Sequence, residues 1–443
     1  MSEYQNGPGG PEFQQPWAPL PQRQRASTSA GVSQIVLSAL LVALAFSAGW
    51  FGNMYVNHNN QIPANDANAQ SIFQAYQAIS SGYVDASAID HKKMAYAAIG
   101  AMVDSLGDTG HSRFQTPEEV QQENNSLHNA PTVGIGVLLS GGGSQPLRID
   151  EVIPGSASDG HLQPGDIITA VDGKNISGMT IDQIRPLVIG PEGTQVTLTI
   201  QRHGVAAPFN VTLTRKPFTV PLVSSYIIPG LNIAHIQLTQ FAENPDNSAD
   251  STDGQLKTVL QQSDVKNASG IILDLRDNPG GYLNQAVSVA SEFLSSGTVY
   301  IERTRTSRKS VPVATDHQLA VGRPLVILVN GDTASAAEIV TAAVKYNRSD
   351  VHVIGEHTFG TDTILTPVPL ANGGQILLGT LGWLTPDGIN VRSTGIVPDQ
   401  IVKLPDGALA ITPLIANEEH LTSEQILASG DTQLQRAIKD LTT

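Results

Sequence analysis

An apolar run from Pro324 to Val329 ends abruptly in the turn formers Asn330, Gly331 and Asp332. Thr333-Ala334-Ser335-Ala336-Ala337-Glu338-Ile339-Val340 then opens a helix-patterned stretch reaching about Tyr346. Such a passage commits the chain to a strand that hands over to a helix, and it puts Ser335 at the handover. Two readings of that serine follow. It is a helix N-cap, a position serine favours. Alternatively it is a nucleophile, with small alanines leaving room for a substrate while free N–H groups and the positive helix end stabilise a developing negative charge.

Composition removes several function classes. The formal charge of -15, with no basic stripe, excludes nucleic acid as a partner. Cysteine is absent, which rules out disulfides, thiol nucleophiles and thiolate metal sites. The chain also lacks an HExxH, a glycine-rich phosphate loop and a calcium loop, so nothing in it calls for a metal or another cofactor.

Residues 1–31 are rich in Pro, Gln, Gly and Ser and read as a disordered cytoplasmic tail. No Asp, Glu, Lys or Arg occurs from Ala26 to Asn65, and the apolar heart of that window, 32–56, is long enough to cross a bilayer as a helix. Arg23 and Arg25 precede it and Trp50, Phe51 and Tyr55 close it, which orients the N-terminus to the cytoplasm and the remainder outside. A cleaved signal peptide is the rival reading; the long leading tail and the length of the apolar run favour an uncleaved anchor. A polar linker, 57–70, leads to a helical segment, 71–130. Apolar residues recur there at helical spacing (Ile72, Phe73, Tyr76, Ile79, Tyr83; then Met94, Ala97, Met102, Val103, Leu106), and Thr116-Pro117-Glu118-Glu119 marks a capped helix start.

From 131 to 217 short apolar strands alternate with turns. Val133-Gly134-Ile135-Gly136-Val137 opens this part and Gly165-Asp166-Ile167-Ile168-Thr169-Ala170-Val171-Asp172-Gly173 sits at its centre. The pattern resembles a PDZ domain. The resemblance implies that loop N–H groups around Gly134, Ile135, Gly136 and Val137 receive a C-terminal carboxylate while the peptide adds a strand to a sheet edge. Residues 218–402 alternate strand and helix patterns, as in a mixed α/β domain, and 403–443 end in an amphipathic stretch, Asp431 to Leu441.

Three segments then stand in a telling order. Gly270-Ile271-Ile272-Leu273-Asp274-Leu275-Arg276-Asp277-Asn278-Pro279-Gly280-Gly281 comes first, the Ser335 passage second, and Gly355-Glu356-His357-Thr358-Phe359-Gly360-Thr361 third. Together they resemble the carboxy-terminal processing (tail-specific) serine peptidases over roughly residues 70 to 440. The fold this implies is a mixed α/β peptidase core with an inserted PDZ-like β domain, an N-terminal helical segment and one transmembrane helix. The implied activity is a membrane-anchored extracytoplasmic serine endopeptidase acting on proteins with exposed C-termini, and a homo-oligomer is compatible with it.

The main branch of that family uses a lysine base in a Phe-Gly-Lys-Gly segment. Here Thr361 takes the lysine's place and Leu365 that of a following glutamine. A threonine hydroxyl is no base near neutral pH, so a Ser–Lys dyad is excluded at that position. Lys345, ten residues along the same helix, would lie ~15 Å from Ser335 by rise alone, and His357 lies upstream of the lysine's position. His111 is the stronger choice. Asp108-Thr109-Gly110-His111-Ser112-Arg113-Phe114 is similar to the Asp-x-His-Ser/Thr string of a related branch, including tricorn-like and nisin-resistance peptidases, which pairs the serine with an upstream histidine. The family's oxyanion hole maps onto the backbone N–H groups of Gly280, Gly281 and Ala336. Glu338 either orients the imidazole or is a first-turn acid favoured by the helix dipole, and Thr361 remains as a supporting residue. Asp274 and Arg276 read as structural. The competing class is an inactive peptidase relic that binds peptides through its PDZ-like domain, a reading Thr361 favours.

Overall fold

A computed structural model describes residues 66–108, 111–315 and 318–443. The expected tail and the apolar run 32–56 lie outside the described residues, and among the described residues no helix is long and apolar enough to cross a membrane. Two units are distinguished, residues 1–89 and 90–443. In the first, helix Ala67–Gly82 starts inside the stretch read as linker. Asp66 caps it there, its carboxylate accepting from the N–H groups of Asn68 at 3.0 Å and Ala69 at 3.2 Å.

The second unit begins with helix His91–Asp104 and strand Arg113–Gln115. Helix Pro117–Leu127 follows, opened by the expected capping box between Thr116 and Glu119. The PDZ-like domain is next. Its sheet runs Val137–Gly142, Gln145–Val152, Ile167–Val171, Gln195–Gln201, Phe209–Thr214, with Lys174–Asn175 paired to the third strand. Val137–Gly142 is an edge strand, and helix Ile181–Val188 lies against it. Ile149, Leu198 and Ile200 are fully buried beneath.

The core of residues 218–402 is a six-stranded sheet ordered Val223–Ile228, Ile233–Leu238, Gly270–Asp274, Leu325–Val329, His352–Gly355, Gln400–Ile401. Only the first pair is antiparallel. Its central strands are unbroken apolar runs because both faces are covered. Ile271, Leu273, Leu325, Ile327, Val329 and Val353 pack under helices Thr252–Gln261, Leu283–Phe293 and Ala336–Asn347. The alternate residues Ile272, Val326, Leu328 and Ile354 pack under helices Pro413–Glu418 and Thr432–Thr442.

A second, antiparallel sheet carries the rest of the site. Gln375–Leu384 is one continuous strand, and Thr363–Pro369 pairs along most of its length. The same strand pairs with Arg113–Gln115 in the register Arg113↔Leu377. This pairing carries the early His111 loop across to the late part of the chain.

One buried ionic network ties the C-terminal helices to the sheet. Arg276 grips Asp274 through Nε and Nη2 and reaches Asp431 through Nη1 at 2.9 Å, while His235 Nε2 sits 3.0 Å from Asp274. Burial alone would raise the Asp274 carboxyl, but the adjacent Arg276 charge overrides this and holds it well below the usual carboxylate range. The structural reading of both residues therefore agrees with their surroundings. Replacing Arg276 with Ala would leave two carboxylates buried without a cation, so urea unfolding should show a loss of roughly 3–5 kcal/mol. Asp274→Asn should cost less, since Arg276 keeps Asp431.

Candidate active site

The turn from strand Leu325–Val329 into helix Ala336–Asn347 is held at each residue. The Thr333 hydroxyl donates to the Leu275 carbonyl at 2.8 Å, and the Ala334 N–H donates to that of Asn278 at 2.9 Å. Ser335 itself has φ 55° and ψ −117°. This left-handed conformation costs a non-glycine residue on the order of 1–3 kcal/mol, and strain of this kind is found at nucleophiles on strand-to-helix turns. Ser335 occupies the N-cap position in a capping-box arrangement with Glu338, whose carboxylate accepts the Ser335 N–H at 2.9 Å, while the serine hydroxyl faces the Glu338 N–H without a full hydrogen bond. Ser335 is half-buried.

The Gly280-Gly281 turn lies flush against it. A Cβ on Gly280 would stand 2.8 Å from the Ser335 Cβ and 2.9 Å from the Ala336 nitrogen, and one on Gly281 would stand 2.2 Å from the Phe241 carbonyl oxygen. Both glycines have positive φ, 99° and 138°, so any side chain there would be strained as well as obstructed. The Gly280 N–H donates to Asn278 Oδ1 at 2.9 Å. The N–H groups of Gly281 and Ala336 have no protein acceptor among the described residues.

Glu338 is fully buried one turn into the helix. Its Oε1 accepts from the Thr358 hydroxyl at 2.6 Å and the Gly360 N–H at 2.8 Å. Its Oε2 accepts from the Thr361 N–H at 2.9 Å, the Thr361 hydroxyl at 2.7 Å and the Ser335 N–H at 2.9 Å. The Ser335 N–H is shared with Thr361 Oγ1 at 3.0 Å. Glu338 therefore binds the 358–361 segment to the serine turn, and none of these bonds goes to His111.

His111 is instead held by Thr363, a residue that motif reasoning missed. His111 Nδ1 and Thr363 Oγ1 are 2.5 Å apart. Asp108 accepts the Ser112 N–H at 2.9 Å, and the Ser112 hydroxyl accepts the Gly379 N–H at 2.9 Å, which sets the loop on the sheet. Gly379 also leaves space for the contact, because a Cβ there would come within 2.9 Å of the Thr363 Cβ. No local signal marks Thr363; its partner stands 252 residues earlier. Among the described residues no hydrogen bond joins the Ser335 hydroxyl to His111. The Ser335 N–H is bonded to Thr361 and the His111 ring to Thr363, two residues on, a step whose backbone spans at most ~7 Å.

Burial depresses the His111 pKa below its ordinary 6.5, and the Arg113 charge adds to this against the Asp108 and Asp362 carboxylates. The other bases considered are occupied elsewhere. Lys345 pairs with Asp399, and His357 is exposed with Nδ1 3.1 Å from the Thr394 carbonyl oxygen. In the PDZ domain, Gly136 (φ 75°) packs against Ser156, and the N–H groups of Ile135 and Gly136 lack acceptors among the described residues. Val137 begins the edge strand, and Gly134 pairs with Lys216 in a short ribbon.

The model of peptidase family S41 matches residues 232–402 and a PDZ domain model matches residues 148–202. The chain is 31% identical over 399 residues to the carboxy-terminal processing protease CtpA of Bacillus subtilis (strain 168), covering 90% of this chain and 81% of that one. It is 31% identical over 317 residues to a carboxy-terminal-processing protease of Bartonella bacilliformis, covering 71% of each. A putative S41 protease from Bacteroides fragilis shares the fold, with a TM-score of 0.54 at 17% identity, over 83% of this chain and 97% of that one. An α/β serine-type peptidase with a PDZ domain is the class this fold and site define. Within that class the chain belongs to peptidase family S41, the carboxy-terminal processing peptidases.

If the Ser335 conformation stores strain, Ser335→Gly should raise stability by about 1 kcal/mol relative to Ser335→Ala. Chemical denaturation of the two variants measures this, and equal midpoints would remove the strain argument.

Proposed function

We propose that the chain is an extracytoplasmic endopeptidase that captures exposed C-terminal segments and cleaves them by acyl transfer from Ser335, with His111 as base. The observation that supports this most is Thr363, which holds an imidazole two residues from the threonine bonded to the Ser335 turn. With Nδ1–H donated to the Thr363 hydroxyl, Nε2 keeps its lone pair for the Ser335 proton. The serine oxygen attacks the scissile carbonyl, and the N–H groups of Gly281 and Ala336 receive the oxyanion. Gly280 contributes room rather than a donor. His111 then passes the proton to the leaving amine, and water activated by the same imidazole releases the acyl group. Thr361 stands where the main branch carries its lysine; its role here is to complete the Glu338 junction.

Substrate capture is assigned to the PDZ domain. A terminal carboxylate would sit at the Ile135 and Gly136 N–H groups while the peptide pairs with edge strand Val137–Gly142. The apolar run 32–56 anchors the enzyme, with the N-terminus in the cytoplasm and residues beyond the anchor outside. Alkaline carbonate extraction should leave the whole chain with the membrane, whereas removal of residues 1–56 should free it. A full-length chain found in the soluble fraction would end the anchor assignment.

In a digestion assay with a peptide-tailed protein, Ser335→Ala should abolish turnover and His111→Ala should lower it by at least ~10². Since the base must be neutral and its pKa is depressed, the acid limb of kcat/KM should fall below pH 6.5. Full activity in His111→Ala would refute the assigned base and pass the question to His357→Ala. An inert wild type that still binds tailed peptides would instead favour the relic reading.

A further inference from the structure

A cavity of about 1050 Å³ lies between the PDZ domain and the peptidase core. One wall comes from the edge strand Val137–Gly142 and helix Ile181–Val188, the elements assigned to peptide capture. Another comes from Asp277 and Asp332, on the turns that carry Gly280-Gly281 and Ser335. A peptide held in the groove and running to Ser335 would cross this space.

Its lining has an excess of acid. Asp150, Glu151, Asp277, Asp332 and Glu356 line it against three arginines, two of which are engaged by other groups. Arg276 is saturated by Asp274 and Asp431, and Arg148 by Asp150 and the carbonyls of Gly407 and Ala408. Arg185, exposed on the groove helix, is the third cation of the lining, and five carboxylates outnumber the three.

Glu151 is the decisive residue. It is the penultimate residue of strand Gln145–Val152 at 2% exposure, and among the described residues neither carboxylate oxygen has a hydrogen-bond partner. Burial pushes its carboxyl up to about 7; the nearby Thr412 hydroxyl opposes this without reaching hydrogen-bond geometry, and the Asp274, Asp150 and Asp277 carboxylates add to it. A buried acid with neither cation nor donor is costly, and folded proteins rarely leave one. The shortfall disappears once an occupant brings both.

We infer that this cavity is a subsite for a lysine or arginine side chain of a captured peptide, with Glu151 as its buried counter-ion. The assignment rests on C-terminal capture by the PDZ domain and adds a substrate class to it: tails with a basic residue upstream of the terminus. Asp277 and Asp332 provide the negative field at the core wall and Glu151 the direct partner, a charge-assisted hydrogen bond in a site sheltered from water.

The full-length Ser335→Ala chain in detergent, titrated by fluorescence anisotropy with peptides of one common C-terminal sequence, tests this. A single lysine is moved upstream one position at a time, with glutamine at the same position as reference. At one or two neighbouring positions lysine should bind roughly tenfold tighter than glutamine, about 1.4 kcal/mol. Glu151→Gln should bring that ratio to one, and Asp277→Asn should reduce it, which covers the case where the first variant folds poorly. A ratio of one at all positions, with the glutamine peptides still bound, would overturn the subsite and leave terminal capture standing. If no peptide binds at all, capture fails and the subsite falls with it. A lysine preference unchanged in both variants would place the cation elsewhere and overturn the role of Glu151.

Discussion

The Glu338 carboxylate is the junction on which the rest of the site depends. It is buried, pairs with no cation among the described residues, and is held by five donors drawn from Ser335, Thr358, Gly360 and Thr361. Charge-assisted bonds to a buried carboxylate are strong and directional. They fix the 358–361 segment against the serine turn, and that in turn places Thr363 and its partner His111. A main-branch enzyme would present an ammonium where Thr361 presents a hydroxyl. Here that hydroxyl donates to Glu338 and accepts from the Ser335 N–H, so the position has become part of the frame.

Missing side chains matter as much as present ones. Gly280 lets a second backbone lie on the serine turn, Gly281 lets it touch Phe241, and Gly379 makes room for Thr363. Each is a contact between segments far apart in the chain, and each would be closed by a single methyl group. The left-handed conformation of Ser335 persists because Thr333, Ala334 and the shared Ser335 N–H are bonded on different sides. Strain of this size survives only where surroundings over-determine the backbone.

The core sheet supplies the rigid base. Alternate residues of its strands serve two separate apolar clusters, one beneath the nucleophile helix and the other beneath the C-terminal helices. The Arg276 network joins the second layer to the sheet, and Asp277, the next residue in the chain, faces the seam with the PDZ domain. The end of the chain is thereby tied to the strand that leads into the Gly-Gly turn.

Local chemistry made much of this legible in advance. The apolar run, the turn formers and the alanines at 324–340 define a strand, a turn and a helix by short-range rules, and Thr116 with Glu119 define a helix start in the same way. The family resemblance, carried by three separated motifs, supplied the class of enzyme and the PDZ domain. The interactions that organise the site could not be read because they pair distant residues. Thr363 meets a histidine 252 positions earlier, and Gly379 is empty for a neighbour on another strand. Glu338 looked like a residue answering the helix dipole or the imidazole, and the fold gave it a loop to hold. Sequence determines which groups are available and what each short stretch prefers; the meeting of those groups is decided only when sheet register and close backbone packing bring distant segments together.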